Sequence, residues 1–247
     1  YIVSDRLFAI GYDNNQIADL FGQLSGTAQT LINFPQVFST AVAMSLVPAI
    51  TDAFTRKQIS RLNMTANAGV RISLIIGLPC GIGLFMLAEP IIALLYPSLG
   101  PEKYASSGTL LEILAIGVIF LTLVQAFTAI LQSVNKQFHP VKNLAVGLVI
   151  KMILSYILIG MPDININGAA ISTTISYLVV ALLNLKDVNN ANIKINLIKV
   201  SARPLLSSAV MAVATGITFR VLKFAFAGVS FRVIKFTLSG QSLAALV

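Results

Sequence analysis

The sequence predicts an all-α fold, a polytopic membrane helix bundle, and three observations support this prediction. Hydrophobic residues make up 56% of the 247 residues, and charged residues make up only 11%, whereas soluble domains carry about 25% charged residues. The mean hydropathy is +0.86. Long apolar runs alternate with short polar connectors, and each run approaches the roughly 20 residues that cross about 30 Å of hydrocarbon.

The predicted elements follow the order in which apolar runs and turn residues appear. Residues 1–16 form the end of a preceding transmembrane helix and the outer turn GYDNN. Residues 17–203 contain five transmembrane helices, at about 17–50, 70–96, 110–132, 144–161 and 168–185. Residues 204–247 contain a sixth helix, an interfacial basic segment and the truncated start of a further helix. We therefore expect the chain to be a fragment of a longer protein.

Positive charge alternates between the connectors. The loops at 51–69, 133–143 and 186–203 hold nearly all of the loop lysines and arginines, whereas GYDNN and MPDINING hold none. Because basic loops stay in the cytoplasm, we expect these three loops to be cytoplasmic in a multi-pass protein of the plasma membrane. The same rule accounts for the net charge of +8 without a nucleic-acid partner. A basic segment from Arg220 to Lys235 falls on the outer side by this count and breaks the rule.

A stripe of polar side chains marks the first predicted span. Between Leu20 and Thr51 there is no Lys, Arg, Asp or Glu, but polar residues recur three or four apart. This polar stripe consists of Gln29, Asn33, Gln36 and Thr40. Residues at this spacing share one helix face, and Pro35 predicts a kink beside them. Either the face lines a polar cavity that binds a sugar or phosphate, or its amides only hydrogen-bond neighbouring helices, at about 0.6 kcal/mol per contact.

Two basic residues lie where a membrane helix is predicted. Lys151 is near the middle of the fourth span, between Gly147 and Ser155. Because a cation at mid-bilayer costs about 2.5–3.5 kcal/mol, Lys151 should face protein or water. It is either a counter-charge for an anionic substrate group or a lysine that snorkels or pairs with a carboxylate. Arg6, in the opening segment, either projects into a central cavity or marks a helix end.

The chain shows no pattern typical of a catalytic or cofactor site. There is no nucleophile–base pair, paired carboxylate set, P-loop or metal-ligand spacing. Cys80 is the single cysteine, which excludes an internal disulfide, and we expect the single histidine, His139, to lie at the surface. We therefore predict a protein that is not an enzyme and that has no cofactor or metal. Transport without a nucleotide site would draw on the membrane potential, an ion gradient or the substrate's own gradient, which leaves a coupling ion as a candidate partner.

Four segments carry a family resemblance: SGTAQTLINFPQVFSTAVAMSLVPAI, GLPCGIGLFMLAEPIIALLYP, AILQSVNKQFHPVKN and INGAAISTTISYLVVALLN. Together they resemble the multidrug/oligosaccharidyl-lipid/polysaccharide (MOP) exporter superfamily, in its branch of stage V sporulation protein B and MurJ-type lipid II flippases. The resemblance implies fourteen helices in two six-helix lobes plus a terminal helix pair. This chain would be the second six-helix lobe of such a MATE-like transporter.

The resemblance also implies a function and a set of partners. Members of this branch move an undecaprenyl-pyrophosphate-linked glycan across the membrane by alternating access. The expected partners are this lipid-linked oligosaccharide, membrane lipids and the missing amino-terminal lobe of the same protein.

One departure from the family pattern concerns the phosphate site. Members of the MurJ branch often carry an Asp-Arg pair in helix eight, and the matching positions here are the neutral Gln29 and Thr30. Arg6 or Lys151 compensates for this arginine, or the anion site resides in the amino-terminal half.

Two other functions stay open from the sequence. The first is a cation-coupled exporter of drugs or other small molecules, which generally needs a membrane-embedded carboxylate. Asp5, Glu89 and Glu112 lie near segment ends, which favours the flippase. The second is an inert truncated half-transporter or a scaffold subunit.

Overall fold

A computed structural model describes residues 2–161 and 164–226, and this part of the chain is helical and contains no strand. The helices are α1 (Ile2–Ala9), α2 (Asn14–Gly22), α3 (Gln29–Thr55), α4 (Ile59–Met86), α5 (Ala88–Leu95), α6 (Pro101–Ser133), α7 (Phe138–Ile159), α8 (Asn167–Asn190) and α9 (Leu197–Phe226). A π-helical turn, Gln23–Ala28, joins α2 to α3. A 3-10 turn, Pro97–Leu99, precedes α6.

Six of the described helical segments are long and apolar enough to span a membrane, where α2 and α3 count as one continuous segment. This confirms the prediction of an all-α polytopic membrane bundle. The predicted interfacial segment and the start of a further helix lie largely in residues 227–247, outside the described residues.

Helix α6 is the centre of the bundle and packs against α3, α4 and α8. Small residues permit this close packing. A Cβ added at Gly81 of α4 would lie 2.9 Å from the Ala115 carbonyl oxygen of α6, and Gly77 faces the Thr122 side chain. Helix α7 packs on α8 and contacts α1, whereas α9 packs on α4. Since α6 has neighbouring helices on most sides, few of its apolar side chains are exposed to lipid.

Two apolar clusters lie along the bundle, one towards each end. The cluster near the basic connectors includes Leu46, Leu62 and Phe127. The cluster near the opposite end includes Leu7, Ile32, Leu110, Leu114 and Ile159, which come from α1, α3, α6 and α7. Both clusters pair α3 with α6, so they fix the orientation of the helix that carries the polar stripe.

Helix α4 extends into the predicted basic connector at 51–69. It begins at Ile59, because Leu62, Ala66 and Val70 recur at helical spacing and are buried. The helix ends at Met86, and α5 follows as a separate helix after Leu87. The predicted span at 70–96 therefore corresponds to parts of two helices.

Candidate functional site

The polar stripe lies at the edge of the buried face of α3. That face includes Ile32, Ser39 and Ala43 and packs on the bundle. Beside it, Gln29, Gln36 and Thr40 are half-buried, and Asn33 is exposed. A third face is apolar and outward: Phe34 and Phe38 are 68% and 50% exposed. The stripe is thus distinct from the face that lipid would contact.

The Gln29 and Asn33 side chains of the stripe contact each other. Gln29 Nε2 donates to Asn33 Oδ1, at 3.4 Å. These amides lie one turn apart on α3, so the stripe is a row of hydrogen-bonding groups that runs from the half-buried Gln29 to the exposed Asn33.

The side of α3 opposite the polar stripe faces an apolar groove of about 590 Å³ between α3, α4 and α5. Its lining includes Leu31, Phe34 and Pro35 from α3, and Pro79 and Cys80 from α4. Cys80 is half-buried in this apolar groove. Polar and apolar linings are thus separated on the two sides of α3.

The backbone of this span is irregular near the polar stripe. The π-helical turn lies directly before Gln29, and such turns are frequent at functional sites. Pro35 lies inside α3, and the Ser39 hydroxyl donates to the Pro35 carbonyl at 3.1 Å. The Thr40 hydroxyl donates to the Gln36 carbonyl at 2.9 Å. Thr40 consequently uses its donor within the helix, and only its oxygen lone pair remains for another group.

Lys151 lies on the face of α7 that packs against α8. One turn before it, Gly147 meets Val180 and Ser176, and one turn after it, the Ser155 and Ser172 hydroxyls are 2.6 Å apart. Lys151 itself is half-buried. No carboxylate among the described residues lies within 4 Å of its ammonium group. The lysine is therefore a membrane-embedded cation at a contact rich in hydroxyl groups.

Arg6 contacts the last turn of α7. Its Nε donates to the Tyr156 carbonyl oxygen at 3.1 Å, and its guanidinium lies 3.9 Å from the centroid of the Tyr156 ring. A Cβ at Gly160 would be 2.6 Å from an Arg6 terminal nitrogen. A cation at this place satisfies a free carbonyl at a helix end. These contacts place Arg6 at the end of α7 and not beside the amides of α3.

A buried polar network connects α6, α7 and α8 near the basic connectors. Asn143 Nδ2 donates to Asn184 Oδ1 at 2.9 Å and to Asp187 Oδ2 at 2.7 Å. Asn184 Nδ2 donates to Thr128 Oγ1 at 3.3 Å. His139 Nδ1 lies 3.3 Å from Asp187 Oδ2, and the histidine side chain is 45% exposed, so His139 lies at the surface end of this network.

The opposite end of the bundle has a polar network of its own. Lys103 Nζ lies 2.6 Å from Asp19 Oδ1, and Gln23 Nε2 donates to Asp19 Oδ2 at 3.1 Å. Ser107 of α6 donates to Gln23 Oε1 at 3.4 Å. This network ties the start of the π-helical turn to α6. The described residues contain no group of three His, Cys, Asp or Glu side chains that could hold a metal ion.

Residues 25–237 match the family described as Lipid II flippase MurJ, and this region contains the polar stripe and Lys151. The chain belongs to the MurJ family. The predicted membership in the MurJ-type branch of the MOP superfamily is confirmed. The family is one of membrane transporters and not of enzymes, and the chain is a multi-pass membrane protein.

Two curated relatives are similar over most of the chain. Lipid II flippase MurJ of Bacillus subtilis (strain 168) is 30% identical over 209 residues, which are 83% of this chain and 38% of the relative. Stage V sporulation protein B of the same organism is 24% identical over 183 residues, 74% of this chain and 34% of the relative. The aligned part of the chain thus spans little more than a third of the length of these relatives.

A solved structure has the same fold. The match to lipid II flippase MurJ in an inward closed conformation has a TM-score of 0.66 at 20% sequence identity. It covers 84% of this chain and 42% of the solved chain. The helical arrangement described above is therefore that of part of a MurJ transporter.

The sequence did not indicate the polar network around Asn143. Its only signal was weak: Asn143 and Gly147 share a helix face with Lys151. This pattern does not identify a partner on another helix.

Proposed function

We propose that this chain forms the carboxy-terminal lobe of a flippase that moves an undecaprenyl-pyrophosphate-linked glycan across the plasma membrane by alternating access. The observation that carries the proposal is the amide-rich stripe beside the buried face of α3, in a chain of the MurJ family. The names of the relatives point to lipid II or a related cell-envelope precursor as cargo. The lobe would enclose its cavity together with the amino-terminal lobe of the same protein.

The polar stripe fits the glycan part of such a substrate. Carboxamides both donate and accept hydrogen bonds, which matches the hydroxyl and amide groups of a sugar. The exposed Asn33 would meet the sugar directly, and the half-buried Gln29 and Gln36 would line the same wall. Because the site lies in a membrane, exchange of water for sugar hydroxyls keeps these amides satisfied.

The pyrophosphate needs a cation, and Lys151 is our candidate for this role. It is a half-buried lysine within a membrane helix and has no carboxylate partner among the described residues. Arg6 is the second candidate. Its Nε is used by the Tyr156 carbonyl, so only its terminal nitrogens are available to a phosphate.

The rival transport function is cation-coupled export of drugs or small molecules. Such a pump needs an ion-binding acid inside the membrane, and Asp19 is already paired with Lys103 near one end of its helix. The family match favours the flippase over this exporter. A further possibility, an inert half-transporter, is tested by the upstream reading frame: about six more hydrophobic spans favour the transporter.

The test replaces Gln29, Asn33 and Gln36 by Leu in the full-length protein. A matched control replaces Phe34 and Phe38 by Leu on the apolar side of the same helix. We expect the first variant to lose at least about tenfold in translocation of a lipid-linked glycan in vesicles, since three hydrogen-bonding groups are removed. The control should translocate normally.

Unchanged translocation in the first variant, at normal expression, removes the cavity role of the stripe. Proton- or sodium-dependent dye efflux by the wild-type protein, without glycan translocation, supports the exporter instead.

A further inference from the structure

The α8–α9 connector (residues 191–196) is held on α4 by two asparagine side chains. Asn63 Oδ1 accepts a hydrogen bond from the Lys194 backbone nitrogen at 3.0 Å. Asn67 Oδ1 accepts one from the Asn196 backbone nitrogen at 3.0 Å, and its Nδ2 donates to the Lys194 carbonyl at 2.8 Å. These three bonds fix the backbone of the connector, while the Lys194 side chain is exposed.

A groove of about 400 Å³ lies between this connector, the last turns of α8 and the first turn of α9. Its apolar lining includes Leu185, Ile195 and Ile198, and its polar lining includes Lys194. Ile198 is 82% exposed, although it belongs to a helix that is long and apolar enough to span a membrane. The groove therefore lies at the membrane boundary, at the end of the bundle that carries the basic connectors.

Two cations at this groove lack a carboxylate partner in the part of the chain that the structure describes. Lys194 lines the groove, and Lys199 lies in the first turn of α9, one residue after Ile198. Both side chains are exposed, and no described Asp or Glu lies within 4 Å of either ammonium group. Asp187, towards the end of α8, is already hydrogen-bonded by Asn143. The two ammonium groups are therefore available to an anion from outside the chain.

We propose that this groove binds an anionic phospholipid, whose acyl chain lies against the apolar lining and whose phosphate lies beside Lys194 and Lys199. An apolar groove next to two free cations is complementary to both parts of such a lipid. A zwitterionic lipid carries its own cation and gains less from the lysines. The charge rule places this connector on the cytoplasmic side, where basic pockets between membrane helices typically bind anionic head groups.

A bound lipid would also stabilise the position of α9. Among the described helices, α9 packs mainly on α4, and the asparagine contacts hold the connector to the same helix. A lipid in the groove adds a contact between α9 and α8. Because it binds the folded protein, it should raise the thermal unfolding midpoint.

The test is photocrosslinking of the full-length protein in phosphatidylcholine vesicles that contain a small fraction of phosphatidylglycerol with a photoreactive acyl chain. We expect crosslinks within residues 185–198, and a phosphatidylcholine probe with the same chain should give at least about fivefold fewer. In the double variant Lys194→Gln, Lys199→Gln, crosslinking by the phosphatidylglycerol probe should fall at least about fivefold, since two cationic contacts are lost.

The matched control is the double variant Lys57→Gln, Lys142→Gln, which removes the same charge from exposed lysines of the other two basic connectors. It should crosslink as wild type does. In detergent, added phosphatidylglycerol should raise the unfolding midpoint of wild type and of this control, but not that of the Lys194→Gln, Lys199→Gln variant.

Ile198→Ser tests the apolar half of the groove. Because Ile198 is exposed, the variant should unfold at the wild-type midpoint in detergent without lipid. We expect its crosslinking by the phosphatidylglycerol probe to fall about threefold, since one apolar contact with the acyl chain is lost. This variant also serves if the double lysine variant does not fold.

Several outcomes overturn this inference. Equal crosslinking by the two lipid probes does so, and so does unchanged crosslinking in the Lys194→Gln, Lys199→Gln variant. An equal loss in the control variant would show attraction to any basic surface. Displacement of the probe by inorganic phosphate would show a site for soluble anions. Displacement by a lipid-linked glycan, where excess phosphatidylglycerol leaves the probe in place, would show a cargo site instead.

Discussion

Asn143 on α7 donates a hydrogen bond from Nδ2 to a carboxylate oxygen of Asp187 on α8, at 2.7 Å. The same amide donates to Asn184, and Asn143 is 9% exposed, so the pair lies inside the contact between the two helices. A buried polar group that loses its partner costs more than the bond itself contributes.

Replacement of Asn143 by Leu should therefore destabilise the α7–α8 contact. Asn184 and Asp187 would each lose a donor, and we expect a loss of about 1–3 kcal/mol, seen as a lower midpoint of thermal unfolding in detergent. Asn190→Leu, at the exposed end of α8, is the control and should change the midpoint little. Equal midpoints for Asn143→Leu and wild type would show that the network has no structural role.

Lys151 gives a prediction in which stability and activity change in opposite directions. Lys151→Met keeps the approximate length and removes the charge. Because a cation near the bilayer centre costs about 2.5–3.5 kcal/mol, the variant should unfold at a higher temperature. Translocation of a pyrophosphate-linked glycan should fall at least about tenfold if the ammonium attracts the phosphate. A more stable variant with full activity would exclude Lys151 from substrate binding.

Arg6→Lys tests whether the charge of Arg6 or the planar shape of its guanidinium matters at the end of α7. Lysine keeps the positive charge but loses the planar group that stacks on Tyr156 and donates to its carbonyl. We expect a lower unfolding midpoint and translocation that is reduced less than twofold. Greatly reduced translocation at an unchanged midpoint would mean that the guanidinium itself binds the substrate.

Gly168 provides a test of the packing between α7 and α8. A Cβ at this position would lie 2.8 Å from the Ile159 backbone nitrogen, and the backbone cannot move away as a side chain can. Gly168→Ala should thus cost about 1–3 kcal/mol in stability. Gly26→Ala is the control, because nothing lies within 4 Å of its added Cβ. A Gly168→Ala variant as stable as this control would contradict the helix packing described here.

The sequence predicted those parts of the fold that depend on local patterns. Apolar runs predicted the membrane helices, and the spacing of Gln29, Asn33 and Gln36 predicted a shared helix face. The start of α4 at Ile59 was missed because its polar residues masked the buried positions Leu62 and Ala66.

The sequence could not predict which residues of different helices contact each other. Asn143 of α7 meets Asp187 of α8 only because these two helices pack directly against each other. A single sequence contains no information on which polar residue of one span faces which residue of another. The same reason applies to Arg6, whose partner at the end of α7 is set by the contact of α1 with α7.

The most direct measurement is the accessibility of single cysteines at Asn33 and Phe38, in an otherwise cysteine-free full-length protein. Both positions are exposed on α3, but Phe38 lies on the outward apolar face and Asn33 belongs to the polar stripe. A membrane-impermeant maleimide should label Asn33→Cys in intact membranes, a lipid-linked glycan should slow this labelling, and Phe38→Cys should not react. Reaction of Asn33→Cys only with a crosslinker confined to the acyl chains would contradict the account.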